Sequence, residues 1–280
     1  MVQISFEYFP PKTGEQKERF WSTHERLAGL KPEYCSVTFG AGGSTLSYTQ
    51  ETVLALHQAP GPSVAPHISC QGGSAEEIRA LLDTYREAGI RRLVALRGDV
   101  PSGMASAGEF RYASELVEFI RRETGDHFHI EVGCYPEFHP ESDNPGQDLT
   151  HFKSKVDAGA DGAITQYFFN IDAYLRFLDD ARRVGIDVPI IPGIMPITNY
   201  RQLARFSDTC GAEIPLWLRK RLAQLDEDKA ALLEFGTEVV TQLCEELIRE
   251  GVPGLHFYTL NRAKATTAIC ANLGLIDTAA

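Results

Sequence analysis

Residues 163–194, AITQYFFNIDAYLRFLDDARRVGIDVPIIPGI, decide the fold class because they read as strand, helix and strand in succession. The run Ala163–Phe169 is almost continuously apolar, which is typical of a parallel strand covered on both faces. Ala173–Val184 then collects its apolar side chains on one helical face and stops at Gly185. A second apolar run, Pro189–Ile194, completes a β-α-β unit.

The same alternation runs through the whole chain. Short apolar runs predict eight strands, at Ile4–Phe9, Tyr34–Phe39, Val64–Ser69, Arg92–Leu96, His129–Tyr135, Ala163–Phe169, Pro189–Ile194 and Leu255–Leu260. Amphipathic segments predict helices at Glu76–Ala88, Met104–Arg122, Leu149–Ala158, Ala173–Val184, Tyr200–Phe206, Leu216–Leu225 and Lys229–Glu250. Eight strands alternating with helices predict an α/β fold, a (β/α)8 TIM barrel.

A doubly wound sheet is the rival architecture, because it uses the same alternation. Gly40–Thr45 follows a strand and begins like a dinucleotide fingerprint, but Thr45 stands where the third glycine belongs. The strand count and this broken fingerprint favour the barrel. No linker or shift in composition divides the chain, so we expect residues 1–280 to form a single domain.

The composition and net charge of the chain argue against some classes of binding partner. The 280 residues are 43% hydrophobic and carry a net charge of -11, which argues against binding to nucleic acid or an anionic membrane. No apolar stretch is long enough to span a bilayer, and the N-terminus lacks the regions of a signal peptide. The six cysteines form no C-x-x-C pair and the histidine spacing suggests no metal site, so we expect a reducing cytoplasm.

Barrel enzymes place their active sites at the carboxyl ends of the strands. Polar residues close nearly every predicted strand here. In chain order these candidates are Glu7, Thr38, His67, Arg97-Gly98-Asp99, Tyr135–Pro140, Gln166 and Tyr258–Arg262. Such a ring of polar groups, supplied by almost every strand, indicates an active site rather than structural filler.

Each candidate also has a structural interpretation. Glu7 could be half of a buried ion pair with Arg97, yet a carboxyl group in apolar surroundings holds its proton to higher pH, as a general acid requires. His67 alone is more often a core histidine than a catalyst, and Gln166 could bond a neighbouring turn. Arg262 begins the last helix, where a cation opposes the helix dipole, and this misfit favours a ligand role.

The motifs that carry these residues identify a family by resemblance. The chain resembles bacterial methylenetetrahydrofolate reductase, in its catalytic-barrel-only form, from about residue 3 to about residue 275. The matching stretches follow in order, one per strand: Ser5–Lys12, Ser36–Ala41, Ala65–His67, Leu96–Asp99, Tyr135–Pro140, Lys155–Ala160, Ile164–Gln166, Pro192–Pro196 and Phe257–Arg262.

The resemblance implies FAD as cofactor, with a nicotinamide donor and a folate taking turns at the flavin. Glu7 matches the family's proton donor, and Asp99 matches a carboxylate near the flavin and the pterin. The flavin-contacting positions that match are Thr38, Phe39, Ala41, His67, Arg97, Gly98, Asp99, Ala113, Tyr135, His139, Asp148 and Lys155. The substrate-contacting positions that match are Asp99, Gln166, Gln202, Phe206, Tyr258 and Arg262.

The implied reaction reduces 5,10-methylenetetrahydrofolate to 5-methyltetrahydrofolate with NADH or NADPH as donor, and supplies methyl groups for methionine synthesis. The resemblance also implies a homo-oligomer. This chain departs from the family at Ser44–Thr49, His151 and Ser154, and the loss of an arginine at position 154 removes a phosphate partner. Two other functions stay open: a flavin-free pterin methyltransferase and a non-catalytic partner subunit.

Overall fold

Strands and helices alternate throughout the structure, a computed structural model that describes residues 2–39, 46–70, 73–98 and 109–276. Within these ranges the strands are β1 (Gln3–Tyr8), β2 (Tyr34–Val37), β3 (Ser63–Ser69), β4 (Arg92–Leu96), β5 (His129–Cys134), β6 (Gly162–Thr165), β7 (Ile190–Ile191), β8 (Gly193–Ile194) and β9 (Gly254–Tyr258). The helices are α1 (Gly14–Ala28), α2 (Leu46–Gln58), α3 (Ala75–Glu87), α4 (Ala113–Thr124), α5 (Pro145–Asp157), α6 (Ile171–Arg183), α7 (Tyr200–Cys210), α8 (Leu216–Gln224), α9 (Lys229–Arg249) and α10 (Ala263–Asn272).

All of these strands pair in parallel, in the order β7-β6-β5-β4-β3-β2-β1-β9-β8. The two ends of this order, β7 and β8, are separated in the chain by Pro192 alone. β7 pairs with β6 while β8 pairs with β9, so the two short strands are halves of one barrel strand that closes the ring. The predicted (β/α)8 TIM barrel is therefore confirmed.

The boundary predictions need correction at the carboxyl ends of the strands. β1, β2, β5, β6 and β9 end before the apolar runs that predicted them, most clearly at β6, where Gln166–Phe169 leave the sheet. Tyr167 and Phe168 in this stretch are nevertheless buried. Apolar side chains continue past these strands because the loops also pack onto the core, so an apolar run alone does not mark where the ladder stops.

The helix predicted at Met104–Arg122 begins too early. α4 starts at Ala113, because the Glu115 side chain accepts hydrogen bonds from the backbone N–H groups of Arg111 and Tyr112 and so caps the helix there. Residues 104–108 lie outside the described part of the chain. The extra helix predicted before the last strand is confirmed as α8.

Strand alternation gives the barrel two distinct surfaces. On β1, Ile4, Phe6 and Tyr8 belong to the main apolar core beneath the helices, whereas Ser5 and Glu7 face the interior. The floor of the interior is polar: the Tyr34 hydroxyl donates to Glu131 at 2.7 Å across the barrel. None of the helices in the described residues combines the length and apolar character needed to cross a bilayer.

Gly193 makes room for a side chain that crosses the barrel. The Tyr258 hydroxyl, on β9, donates to the carbonyl oxygen of Thr165, on β6, at 2.7 Å. A β-carbon added at Gly193 would run into that same carbonyl oxygen and lie 2.6 Å from a ring carbon of Tyr258. The seventh barrel strand therefore needs a residue without a side chain at this position.

We predict that Gly193→Ala destabilises the protein by about 1–3 kcal/mol, the usual cost of overpacking a close-packed interior. Urea unfolding at equilibrium measures this loss. Gly14→Ala is the matched control, since nothing lies within 4 Å of a β-carbon at Gly14 on the surface of α1. Equal unfolding midpoints for the two variants would contradict the close approach described here.

Candidate active site

Glu7 lies near the carboxyl end of β1 and faces the barrel interior. Its Oε2 atom is 3.5 Å from Nε2 of His67, on β3, and 3.9 Å from Nε2 of His256, on β9. The Glu7 side chain is 15% exposed, compared with 5% for His67 and 0% for His256. Glu7 is therefore the member of this group that remains reachable from the mouth of the barrel.

Burial controls the charge of the imidazole closest to Glu7. It lowers the pKa of His67 to about 4, with the Glu7 carboxylate acting in the opposite direction and His256 adding to the decrease. His67 is thus neutral at pH 7. Nδ1 of His256 shares a 2.7 Å hydrogen bond with the Ser5 hydroxyl. The Nε2 atoms of both histidines are buried and have no hydrogen-bond partner among the described residues.

Glu7 is not half of an ion pair with Arg97. Both side chains lie in the described part of the chain, and the ionisable groups that face Glu7 there are the imidazoles of His67 and His256. Arg97 instead places Nη1 2.6 Å from Oε2 of Glu141, in the loop after β5. The structural interpretation of Glu7 as the partner of Arg97 is therefore wrong.

A cationic corner lies beside β4 and β5. We use this term for Arg97, Tyr135, His139, Asp148 and Lys155, which the structure brings together. Lys155 Nζ donates to the Gly133 carbonyl at 2.6 Å, Asp148 accepts the His139 backbone N–H at 3.2 Å, and the Tyr135 and His139 ring centroids are 4.7 Å apart.

Two carboxylates balance the two cations of this corner among the described residues: Glu141 lies against Arg97, and Asp148 lies near Lys155. Burial lowers the pKa of Lys155, and the cation of Arg97 lowers it further, while Asp148 opposes both. The pKa of His139 is lowered chiefly by burial and then by Arg97. The Glu141 side chain is 59% exposed, so an anionic ligand that displaced it from Arg97 would interact with Arg97 and Lys155 together.

The predicted substrate residues come from the opposite arc of the mouth. Tyr258 reaches β6 as described, and its ring lies 6.4 Å from that of Tyr167, the neighbour of Gln166. Arg262 is exposed, and its Nη1 donates to the Thr198 hydroxyl at 3.1 Å. Helix α7 begins shortly after Thr198, and its residues Gln202 and Phe206, one turn apart, are both half-buried.

The remaining predicted cofactor residues follow β2 and β4. Thr38 continues β2 and donates its backbone N–H to Tyr8 at 2.9 Å, and Phe39 comes next. Gly98 has a φ of +77°, a left-handed conformation that favours glycine. Ala113 is the buried first residue of α4. Ala41 and Asp99 lie outside the described residues.

Sequence reasoning missed His256 and Ser5. Alternation along β9 places His256 on the same face as Tyr258, and this pattern could have indicated a second imidazole in the interior. Ser5 gave no comparable signal, because its role depends on the pairing of β1 with β9, which brings it opposite His256.

Glu137 was also missed as a titratable group. It lines a narrow crevice together with Gln166 and Tyr167. Its Oε2 accepts the backbone N–H of Glu213 at 2.8 Å, while its Oε1 is buried with no hydrogen-bond partner in the described part of the chain. Burial raises the pKa of Glu137 from 4.5 to about 7.

We predict that Glu137→Gln stabilises the protein at neutral and alkaline pH. The raised pKa of Glu137 in the folded state does not change the free energy of unfolding below pH 4.5, where the group is protonated in both states. Between pH 4.5 and about 7 the wild-type carboxyl group lowers the free energy of unfolding progressively, and above about pH 7 this loss is constant. The gain should reach on the order of 1–2 kcal/mol after allowance for partial exposure, since the amide still accepts from Glu213.

Unfolding in urea from pH 5 to pH 8.5 measures that difference. Glu18→Gln, on the exposed face of α1, removes the same charge and serves as control. A Glu137→Gln advantage that does not change with pH would refute the buried-carboxyl explanation.

Comparison with known proteins identifies the family of this chain. Residues 1–274 match the methylenetetrahydrofolate reductase family. The chain is 42% identical over 274 residues to 5,10-methylenetetrahydrofolate reductase of Escherichia coli (strain K12), covering 98% of this chain and 91% of that protein. It is 38% identical to methylenetetrahydrofolate reductase (NADH) 1 of Arabidopsis thaliana, again over 98% of this chain but only 48% of the plant protein.

Solved structures support the fold. An uncharacterized protein from Clostridium thermocellum that binds two copies of 5-methyl-5,6,7,8-tetrahydrofolic acid superposes with a TM-score of 0.66 and 19% identity, covering 97% of this chain and 93% of that one. Oxaloacetate acetylhydrolase superposes with a TM-score of 0.56 and 12% identity, covering 98% and 81% of the two chains. The family match and the 42% identity to the Escherichia coli protein together show that this chain belongs to the methylenetetrahydrofolate reductase family.

Proposed function

We propose that this protein reduces 5,10-methylenetetrahydrofolate to 5-methyltetrahydrofolate, using FAD as cofactor and NADH or NADPH as hydride donor in a ping-pong reaction. The observation that carries the proposal is Glu7, an interior carboxyl group at the mouth that faces the imidazoles of His67 and His256 and forms no ion pair with a lysine or arginine among the described residues. The names of the bacterial and plant relatives support the same reaction.

The residues present fit FAD. Arg97 and Lys155 in the cationic corner would hold its anionic diphosphate, with His139 and Tyr135 beside them. The buried, unpartnered Nε2 of His67 offers a polar group to a cofactor in the mouth. The serine at position 154 adds no charge, and its hydroxyl donates to Thr150 within α5 at 3.0 Å.

FAD would supply the hydride chemistry, taking a hydride from the nicotinamide and later giving one to the folate. Residues of this chain would manage the proton and the substrate. Glu7 would donate a proton to N10 of the folate, which opens the five-membered ring and leaves an electrophilic iminium carbon. Because His67 is neutral at pH 7, it adds no positive charge that would repel this cation.

Asp99 is proposed as the second carboxylate of the reaction, on its sequence match alone. An ionised carboxylate beside the cationic folate would stabilise it electrostatically. On the other arc of the mouth, Arg262 would bind the glutamate of the folate, and Gln166, Gln202, Phe206 and Tyr258 would contact the pterin, the benzoyl ring or the nicotinamide. Binding of folate at such a barrel is consistent with the methyltetrahydrofolate bound by the Clostridium thermocellum protein.

A metabolic role, a cellular compartment and an oligomeric state are also part of the proposal. The product would serve as a methyl donor for methionine synthesis. All six cysteines are free thiols, which supports a reducing, cytoplasmic environment. We also propose that the protein forms a homo-oligomer, as the family resemblance implies.

The purified protein should be yellow and should release FAD on denaturation. After anaerobic reduction with NADH or NADPH, addition of methylenetetrahydrofolate should restore the oxidised absorbance spectrum and yield 5-methyltetrahydrofolate. A colourless protein that releases no flavin would favour a pterin methyltransferase instead. Bound flavin without folate turnover, with or without added proteins, would favour a non-catalytic subunit.

Glu7→Gln should separate the two half-reactions. The variant should still be reduced by the nicotinamide donor at close to the normal rate, but folate reduction should fall by at least about 100-fold, a typical contribution of a general acid. Stopped-flow absorbance measures both rates. Glu18→Gln controls for the lost charge, and equal losses in both half-reactions would show that Glu7 has a structural role.

A further inference from the structure

The corner that follows β9 has an unusual backbone. Leu260 and Asn261 have φ angles of +50° and +55°, both in the left-handed region. This conformation is unfavourable for residues with a β-carbon, more so for leucine than for asparagine, and two in succession persist only where surrounding contacts hold them. The hydrogen bonds at this corner therefore stabilise the strained backbone and fix its position.

The side chain of Asn261 makes two hydrogen bonds to one backbone unit at the end of β1. Its Oδ1 accepts the N–H of Phe9 at 2.9 Å, and its Nδ2 donates to the carbonyl oxygen of Phe9 at 2.8 Å. The regular pairing of β1 with β9 ends at Glu7 and Tyr258. The Asn261 amide thus extends the connection between the two chains beyond the last pair of the ladder.

Further hydrogen bonds complete the corner. The Thr259 hydroxyl donates to the carbonyl oxygen of Glu7 at 2.6 Å and accepts the N–H of Asn261 at 3.2 Å. The Thr23 hydroxyl, from α1, donates to the carbonyl oxygen of Asn261 at 3.3 Å. Asn261 therefore connects the ends of β1 and β9 with the Thr23 side chain of α1, close in the chain or in hydrogen bonding to two residues of the proposed substrate site.

Those residues are Glu7 and Arg262. Glu7 stands two positions before Phe9, and Arg262 follows Asn261 directly. Arg262 is the N-cap residue of α10, with no side-chain capping hydrogen bond, so its guanidinium extends to Thr198 instead. We propose that Asn261 is a positioning residue, which sets the separation between the Glu7 carboxyl group and the Arg262 guanidinium.

This inference rests on the proposed function, in which Glu7 acts at N10 and Arg262 binds the glutamate of the same folate. A rigid connection between the two groups holds N10 against the acid while the glutamate is bound. The nicotinamide donor needs neither group in that arrangement. Asn261 should therefore matter to the folate half-reaction and not to reduction by the nicotinamide.

Asparagine tolerates the left-handed backbone at position 261 and also makes both hydrogen bonds to Phe9. Glycine would adopt the left-handed backbone but make neither hydrogen bond to Phe9. Aspartate would keep the acceptor for the Phe9 N–H but would place a second oxygen against the Phe9 carbonyl. Serine is too short to bridge to that backbone with both a donor and an acceptor.

The test compares half-reactions of the flavin-loaded Asn261→Gly variant with those of the wild type in stopped-flow experiments. We expect kcat/KM for methylenetetrahydrofolate to fall between about 10-fold and 100-fold, since small misplacements of reacting groups have effects of this size. Reduction by NADH or NADPH should stay within about twofold. Asn272→Gly, at the exposed end of α10, is the matched control and should leave both rates unchanged.

Combining Asn261→Gly with Arg262→Ala gives the second readout. If Asn261 acts by placing Arg262 relative to Glu7, the double variant will lose less folate kcat/KM than the product of the two single-variant losses. Multiplicative losses, or equal losses in both half-reactions, would overturn the inference. If Asn261→Gly does not fold, Asn261→Asp takes its place, with the same expected selectivity for the folate step.

The outcomes also separate this inference from the proposed function. A wild-type protein that does not reduce the folate would overturn the proposed function. A wild-type protein that reduces the folate, with Asn261→Gly equally active, would overturn the role of Asn261 alone.

Discussion

Closure of the barrel at Pro192 is the constraint on which the other features depend. One barrel strand must pair with β6 on one side and with β9 on the other, and here two residues serve each neighbour. Proline has no backbone N–H to contribute to a ladder, yet its carbonyl oxygen still accepts the N–H of His256 at 3.0 Å. The interruption therefore leaves the ring intact while dividing the strand.

Closure places β9 beside β1 and so assembles the surroundings of Glu7. His256 reaches the carboxyl group from β9 and His67 reaches it from β3, across positions far apart in the chain. Because burial keeps His67 neutral at pH 7, the imidazole nearest to the Glu7 carboxyl group adds no positive charge there. The same closure lets Tyr258 cross over Gly193 to β6.

Charge is divided around the mouth. Arg97 and Lys155 form a cationic corner on the side of β4 and β5, whereas Arg262 lies at the start of α10 near Thr198. A protein with a net charge of -11 can hold anions only where such cations are concentrated. The first would suit the diphosphate of the proposed cofactor, and the second would suit the carboxylate of the proposed substrate.

The sequence by itself determined the barrel, most strand positions and the family, because alternating apolar runs and local caps depend on near neighbours in the chain. For instance, Ser74 and Glu77 stand three residues apart and form a capping box at the start of α3. Cofactor, donor and the roles of Glu7 and Asp99 stay predictions.

Only the tertiary structure decided that Arg97 pairs with Glu141 and not with Glu7, and that Asn261 joins β9 to β1. It also decided that one Glu137 oxygen is buried with no hydrogen-bond partner within the ranges that the structure describes. These outcomes depend on distances between residues up to 252 positions apart. Such distances are set by how the ring closes, and no local pattern encodes them.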